Sequence, residues 1–173
     1  MENTTNSNLV PIFQFLSVVL TGLVAGLLYG YDCSVIKGLG NLENESYLKA
    51  FQSINKAIQN PYFFTSFMGC LLVLPVTCWL SYKTNQPTFH LSLAAALVYL
   101  IGVFGVTLFC NVPLNQQLEH FNISAAPETQ IAAMRRAFEH SWNKYHTIRT
   151  IAAIIAFSLL ILSLLKRDNS LHP

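Results

Sequence analysis

Two groups of residues in this chain are typed and spaced so that they could do chemistry. The first is Trp142-x-x-Tyr145-His146-x-x-Arg149, in which Trp142, Tyr145 and Arg149 fall three or four positions apart and are expected along one helical face. Imidazole exchanges protons near neutral pH, and a guanidinium offers a planar fork of donors to a carboxylate, a phenolate or a carbonyl. The second is Asn111-Val112-Pro113-Leu114-Asn115, two amides around a proline where an apolar run ends. Proline cannot extend a helical hydrogen-bond ladder and each amide needs partners, so this segment reads as a polar turn that is a helix stop or one wall of a site. Tyr31, Gln52 and Asn55 are expected on the same side, where they would complete a polar mouth. Simpler roles exist for the same types: an arginine snorkelling at a membrane edge, and tyrosine or tryptophan anchored at an interface.

Histidines and cysteines give no metal signature. His120, His140 and His146 share one long loop, so haem or a metal ion held by these three is an option, but the spacings match neither His-x-x-x-His nor His-Glu-x-x-His. Helix-capping or interfacial histidines are the alternative. Cys70 and Cys78 lie inside an apolar run as small apolar residues. Cys33 and Cys110 fall at one end of their runs and could pair only in an oxidising compartment.

The elements that must position these residues are membrane spans. The chain has 173 residues, 53% hydrophobic and only 10% charged, against roughly 25% charged in a soluble domain. Apolar runs cover about 9–30, 62–82, 89–110 and 148–166. A helix needs about 20 apolar residues to cross a bilayer; the last run is short, but Arg149 and Lys166 bracket it and can snorkel. The expectation is one all-α domain over residues 1–173: an integral membrane four-helix bundle, multi-pass, in the inner membrane if the source is bacterial. The first run lacks the basic opening of a signal peptide and is longer than its apolar core, so it is expected to stay as a span. A formal charge of +2 without a basic patch argues against a nucleic-acid partner.

Both long loops, on one side of the bundle, are expected to hold amphipathic helices. Leu48, Phe51, Ile54 and Ile58 recur at helical spacing within 47–60, and Pro61 ends that helix. Ile131, Met134, Phe138, Trp142 and Tyr145 do the same after Pro127, with no strong breaker before the fourth span. Gly22, Gly26 and Gly30 form a small face that either packs the bundle or supports a homo-oligomer, and Pro75 suggests a kink in the second span.

The ordered set Ala25-Gly-Leu-Leu-Tyr-Gly-Tyr31, Gly38-Leu-Gly40, Gln52-Ser-Ile-Asn55, Asn60-Pro-Tyr-Phe-Phe64, Asn111 to Asn115 and Trp142 to Arg149 resembles the anthrone oxygenase-like family of small membrane proteins, long classed as a domain of unknown function. The resemblance covers nearly the whole chain. It implies four membrane helices and, from some relatives, oxidation of anthrones to anthraquinones. An oxidoreductase acting on a lipophilic aromatic at the polar mouth is the activity expected on that basis. His146 would then be the base and Arg149, with Asn111 and Asn115, would stabilise negative charge, while Gln52, Asn55, Trp142 and Tyr31 contact the substrate. The competing expectation is a non-enzymatic membrane protein that binds a lipid, a quinone or a partner subunit.

Overall fold

In the computed structural model, which describes the backbone of residues 2–82 and 86–168 and the side chains of 9–82 and 86–166, the described residues are almost wholly helical. The first rod, α1, is Glu2–Gly30, continued by a wide π-helical turn, Tyr31–Val35, and by Ile36–Gly40. Next come α2 (Asn44–Ala57) and α3 (Pro61–Ser81). The rod α4 begins as Gln86–Val98, widens into π-helical turns at Tyr99–Gly105 and Thr107–Asn111, and ends as Val112–His120. After a short 3-10 turn at Ile123–Ala125, α5 (Glu128–Asp168) runs unbroken through the fourth span.

Four of these helices, Leu9–Gly40, Pro61–Ser81, Gln86–His120 and Glu128–Lys166, are long and apolar enough to cross a membrane. They close a ring in which α1 packs on α3, α3 on α4, α4 on α5 and α5 back on α1, so spans consecutive in the chain are neighbours in space. Its outer surface is apolar: Leu72, Trp79 and Phe109 are 72%, 72% and 77% exposed, which suits contact with lipid rather than water. Inside, Val24, Leu74, Tyr99, Val103, Ala153 and Leu160 form the membrane core. Between lipid-soluble helices the hydrophobic effect gives little, so close approach and buried polar pairs must hold them. Gly102 supplies the approach, since a Cβ there would lie 2.6 Å from the Cβ of Ala152 on α5. Gln14 donates to Ser163 at 3.0 Å, Ser92 meets Ser163 at 3.1 Å, and Ser17 meets Thr77 at 2.8 Å.

A second core caps one end of the bundle. Tyr47, Leu48 and Phe51 of α2 pack with Leu118, Ile123, Ile131, Phe138 and Trp142. The long-loop helices expected at 47–60 and after Pro127 are therefore present, and the second is continuous with the fourth span. Asn60, not a residue inside α2, marks the junction: its side chain accepts from the Phe63 N–H at 3.0 Å and caps α3, with Pro61 in the first turn. Arg135 ties the cap to the end of α1, donating to the carbonyl oxygens of Gly40 (2.9 Å) and Leu42 and pairing with Glu139 at 2.9 Å. Burial beneath this network, with Glu139 nearby, pushes the Tyr47 hydroxyl pKa up.

One expectation is corrected. The chain does not turn at Asn111–Asn115; α4 continues through it to His120. Pro113 is tolerated because the preceding π turn changes the hydrogen-bond register, with the Val112 N–H reaching back to the Thr107 carbonyl. The first helix likewise runs past Gly30 to Gly40. Of the glycine face, Gly22 is used inside the bundle, its Cβ position lying 2.9 Å from the Phe157 ring, whereas Gly26 and Gly30 face open space. Pro75 lies inside α3, which is helical from Pro61 to Ser81, and the four cysteines are free thiols, Cys33 exposed and Cys110 half-buried.

Candidate functional site

Where the membrane core meets the cap core, the bundle opens into a cavity of about 620 Å³. The opening follows from the packing. Helix α3 lies along the Gln86–Val98 part of α4, but beyond Tyr99 the two part, and the first turns of α3 stand away from Thr107–Asn111. The bond from the Tyr99 hydroxyl to the Phe67 carbonyl, at 2.9 Å, marks the foot of the wedge. Its walls are mainly apolar, including Leu28, Ile54, Phe63, Phe67 and Phe104. All three π-helical turns feed it, with Tyr31 from α1 and Phe104 and Thr107 on α4, a common location for such turns.

The polar end is built on α5. Trp142, His146 and Arg149 line the cavity, and Tyr145, which sequence spacing grouped with Trp142 and Arg149, does not. The indole of Trp142 and the imidazole of His146 stack 4.9 Å apart at 9°, with the Tyr31 ring 5.5 Å and 5.2 Å from them. The indole N–H donates to Asn115 Oδ1 at 2.8 Å, and Asn111 Nδ2 donates to the Trp142 carbonyl at 3.3 Å. Arg149 places its guanidinium carbon 5.1 Å from the centre of the indole.

Hydrogen bonds fix the state of His146. Its Nδ1 accepts from Arg149 Nε at 3.3 Å and Nη2 at 2.9 Å, and a guanidinium only donates. Nδ1 must therefore carry the lone pair. Its Nε2 lies 3.1 Å from the Leu28 carbonyl, which only accepts, so Nε2 carries the proton. His146 is thus held as the neutral Nε2–H tautomer. Arg149 Nη1 donates to Thr107 Oγ1 at 3.3 Å, and that hydroxyl donates to the Val103 carbonyl at 2.7 Å. Three of the five N–H bonds of the guanidinium are so engaged, leaving two for a ligand.

No carboxylate pairs with Arg149 among the described residues. Glu119 also lines the cavity but is paired with Lys56 at 2.9 Å on its outer rim. Two further polar atoms on the cavity residues are buried and unpartnered: the Tyr31 hydroxyl and Asn55 Nδ2. Such groups are costly when left unsatisfied, so a cation without a carboxylate and two unpartnered donors on residues lining one cavity suit an anionic oxygen.

The remaining candidates lie elsewhere. Gln52 does not line the cavity; its Nε2 donates to the carbonyls of Leu118 (2.8 Å) and Phe121 (3.2 Å), tying α2 to the end of α4. Asn111 is fully buried behind the wall, with Oδ1 unpartnered. His120 and His140 are exposed and separate from buried His146, and no three His, Cys, Asp or Glu side chains among the described residues gather to hold a metal ion. Sequence reasoning missed Thr107, a single hydroxyl in an apolar run, and the phenylalanines at 63, 67 and 104, which composition could not separate from core.

A family model described as anthrone oxygenase matches residues 55–159. The chain belongs to the anthrone oxygenase family. The matched segment contains Asn55, Thr107, Asn115, Trp142, His146 and Arg149; of the polar cavity residues named above only Tyr31 precedes it. No curated protein and no solved structure matches the chain.

Proposed function

We propose that this protein is an oxygenase that converts a lipophilic hydroxyanthrone-like aromatic to the corresponding quinone at the cavity between the bundle and its cap. The observation that carries this reading is Arg149: a guanidinium without a carboxylate, in a mainly apolar cavity whose lining also includes Tyr31 and Asn55, with their hydroxyl and amide nitrogen unpartnered. An anthrone becomes electron-rich by losing a proton from its ring methylene, with the charge placed on the carbonyl oxygen. Arg149, Tyr31 and Asn55 would hold that oxygen, and apolar walls would strengthen the attraction.

The reaction then balances with molecular oxygen as oxidant. The methylene loses a proton, the resulting carbanion passes an electron to O2 and combines with it at carbon, and a carbon–oxygen bond forms. Loss of the second methylene hydrogen as a proton breaks the O–O bond and forms the new carbonyl. The displaced hydroxide takes a proton, so CH2 plus O2 gives C=O plus water. His146 is the base in this scheme. Its Nδ1 is occupied by Arg149 in the empty cavity, and a ligand oxygen that draws the guanidinium toward itself would release the Nδ1 lone pair to the substrate.

Oxygen uptake by the purified protein with 1,8-dihydroxyanthrone tests the proposal. The expected result is uptake above the spontaneous rate, with one anthraquinone formed per O2 consumed. Uptake equal to the spontaneous rate would refute it; binding of the anthrone without uptake would favour a membrane protein that holds such aromatics without oxidising them.

A further inference from the structure

The cavity has two rims, and only one is strapped. Toward water, α2 and the Val112–His120 end of α4 are joined by the Gln52 bonds to Leu118 and Phe121 and by the Lys56–Glu119 pair. Toward lipid, among the described residues, no hydrogen bond or ion pair joins Pro61–Met68 to Thr107–Asn111. The cavity residues on that rim are Phe64, Met68 and Leu108, which are 42%, 38% and 43% exposed. These are large apolar side chains on two spanning helices that have parted beyond the Tyr99–Phe67 bond, with no polar latch between Phe64 or Met68 and Leu108.

We propose that this wedge is a lateral portal, through which the ligand passes between the bilayer and the cavity, with Phe64, Met68 and Leu108 as its selecting rim. The inference rests on the reading that the cavity binds a lipophilic aromatic. The arrangement fixes the direction of passage. The ligand's apolar rings face the phenylalanine walls and the lipid, and its oxygen leads toward Arg149, Tyr31 and Asn55. Separating α3 from α4 at this point breaks only side-chain contacts in an apolar setting. Opening the roof would cost the Gln52 hydrogen bonds and expose the cap core to water. A water-soluble anion is thus disfavoured by the rim before it reaches the cation, and the portal sets specificity for lipid-soluble aromatics.

The test uses the full chain in phosphatidylcholine vesicles under argon, so that binding is read without turnover. Cys33 and Cys110 are replaced by serine and Trp79 by phenylalanine, leaving Trp142 as the reporter. Leu108→Cys or Phe64→Cys is then modified with N-cyclohexylmaleimide, which absorbs little where tryptophan emits. Association of 1,8-dihydroxyanthrone, followed by quenching of Trp142, is expected to slow by about tenfold or more after either modification relative to the same unmodified variant. The same modification at Leu72→Cys, on the lipid face of α3 but outside the cavity, is expected to leave the rate unchanged. Unchanged association after labelling at Leu108 and Phe64 overturns the portal while leaving the cavity reading intact. Slowing by a label at Lys56→Cys alone also overturns it and puts the entrance on the aqueous rim. Absence of any quenching in the unlabelled protein overturns both.

Discussion

Arg149 is available to a ligand because its neighbours restrain it without neutralising it. Thr107 and His146 accept three of its N–H bonds, and Trp142 lies 5.1 Å away with its π face. A lysine has no planar fork and cannot bond Thr107 while presenting a parallel pair of donors to a ligand oxygen. Arg149→Lys is therefore expected to lower kcat/KM for 1,8-dihydroxyanthrone by roughly 10²-fold, the usual scale for losing an oxyanion-stabilising donor, as measured by initial oxygen uptake. His146→Phe keeps a ring against Trp142 and removes the Nδ1 acceptor. It is expected to reduce kcat by roughly 10²-fold, the scale of a lost general base, and wild-type kcat in that variant would eliminate the base while leaving the anion site standing. Residue types and helical spacing made Trp142, His146 and Arg149 legible in the sequence. Tyr145 was misgrouped because four residues on a helix turn 40° past a full turn, and it is His146 that follows Trp142 at that interval. Gln52 had the right chemistry and the wrong address, since backbone carbonyls that end a neighbouring helix attract the same amide as a ligand does.

At the scale of elements, the parting of α3 from α4 depends on how closely α4 is drawn to α5. Gly102 sits inside the first π-helical region of α4 and meets Ala152 at a distance no other residue could occupy. Gly102→Ala is expected to destabilise the bundle by about 1–3 kcal/mol, the range for overpacking, which outweighs the helix-propensity gain of at most about 1 kcal/mol. Gly26→Ala, with open space at its Cβ, is expected to be neutral or stabilising by up to about 1 kcal/mol. Thermal unfolding of the two variants in mild detergent, followed by circular dichroism, separates these outcomes. The four spans and both cap helices were legible because apolar length and 3.6-residue periodicity report burial directly. The π turns were not: they insert a residue into a helix without changing the hydrophobic pattern enough to read, and helix α4 continues past Pro113 after one of them.

For the whole molecule, two cores of different physics meet at one seam. The membrane core is held by close approach and polar pairs, and the cap core by apolar burial away from water. Their meeting plane contains Trp142, which belongs to the cap core and also lines the cavity. The Lys56–Glu119 pair spans the roof but is largely exposed, 68% and 42% for its side chains, so Lys56→Ala is expected to cost less than about 1 kcal/mol in the same unfolding measurement. Sequence grouped Asn55, Asn115, Trp142, His146 and Arg149 at one end of the bundle and all five line the cavity, yet the cavity itself depends on the splay of two helices, a property of packing that no local pattern encodes. The most direct test of the anion site is the absorption spectrum of 1,8-dihydroxyanthrone bound under argon, titrated with pH. The cationic Arg149 should lower the apparent pKa of the bound anthrone, so that the ionised spectrum appears at lower pH in the wild-type protein than in Arg149→Gln. Identical titrations in the two proteins, both with the neutral ligand at pH 7, would contradict the assignment of this cavity as a site for an aromatic oxyanion.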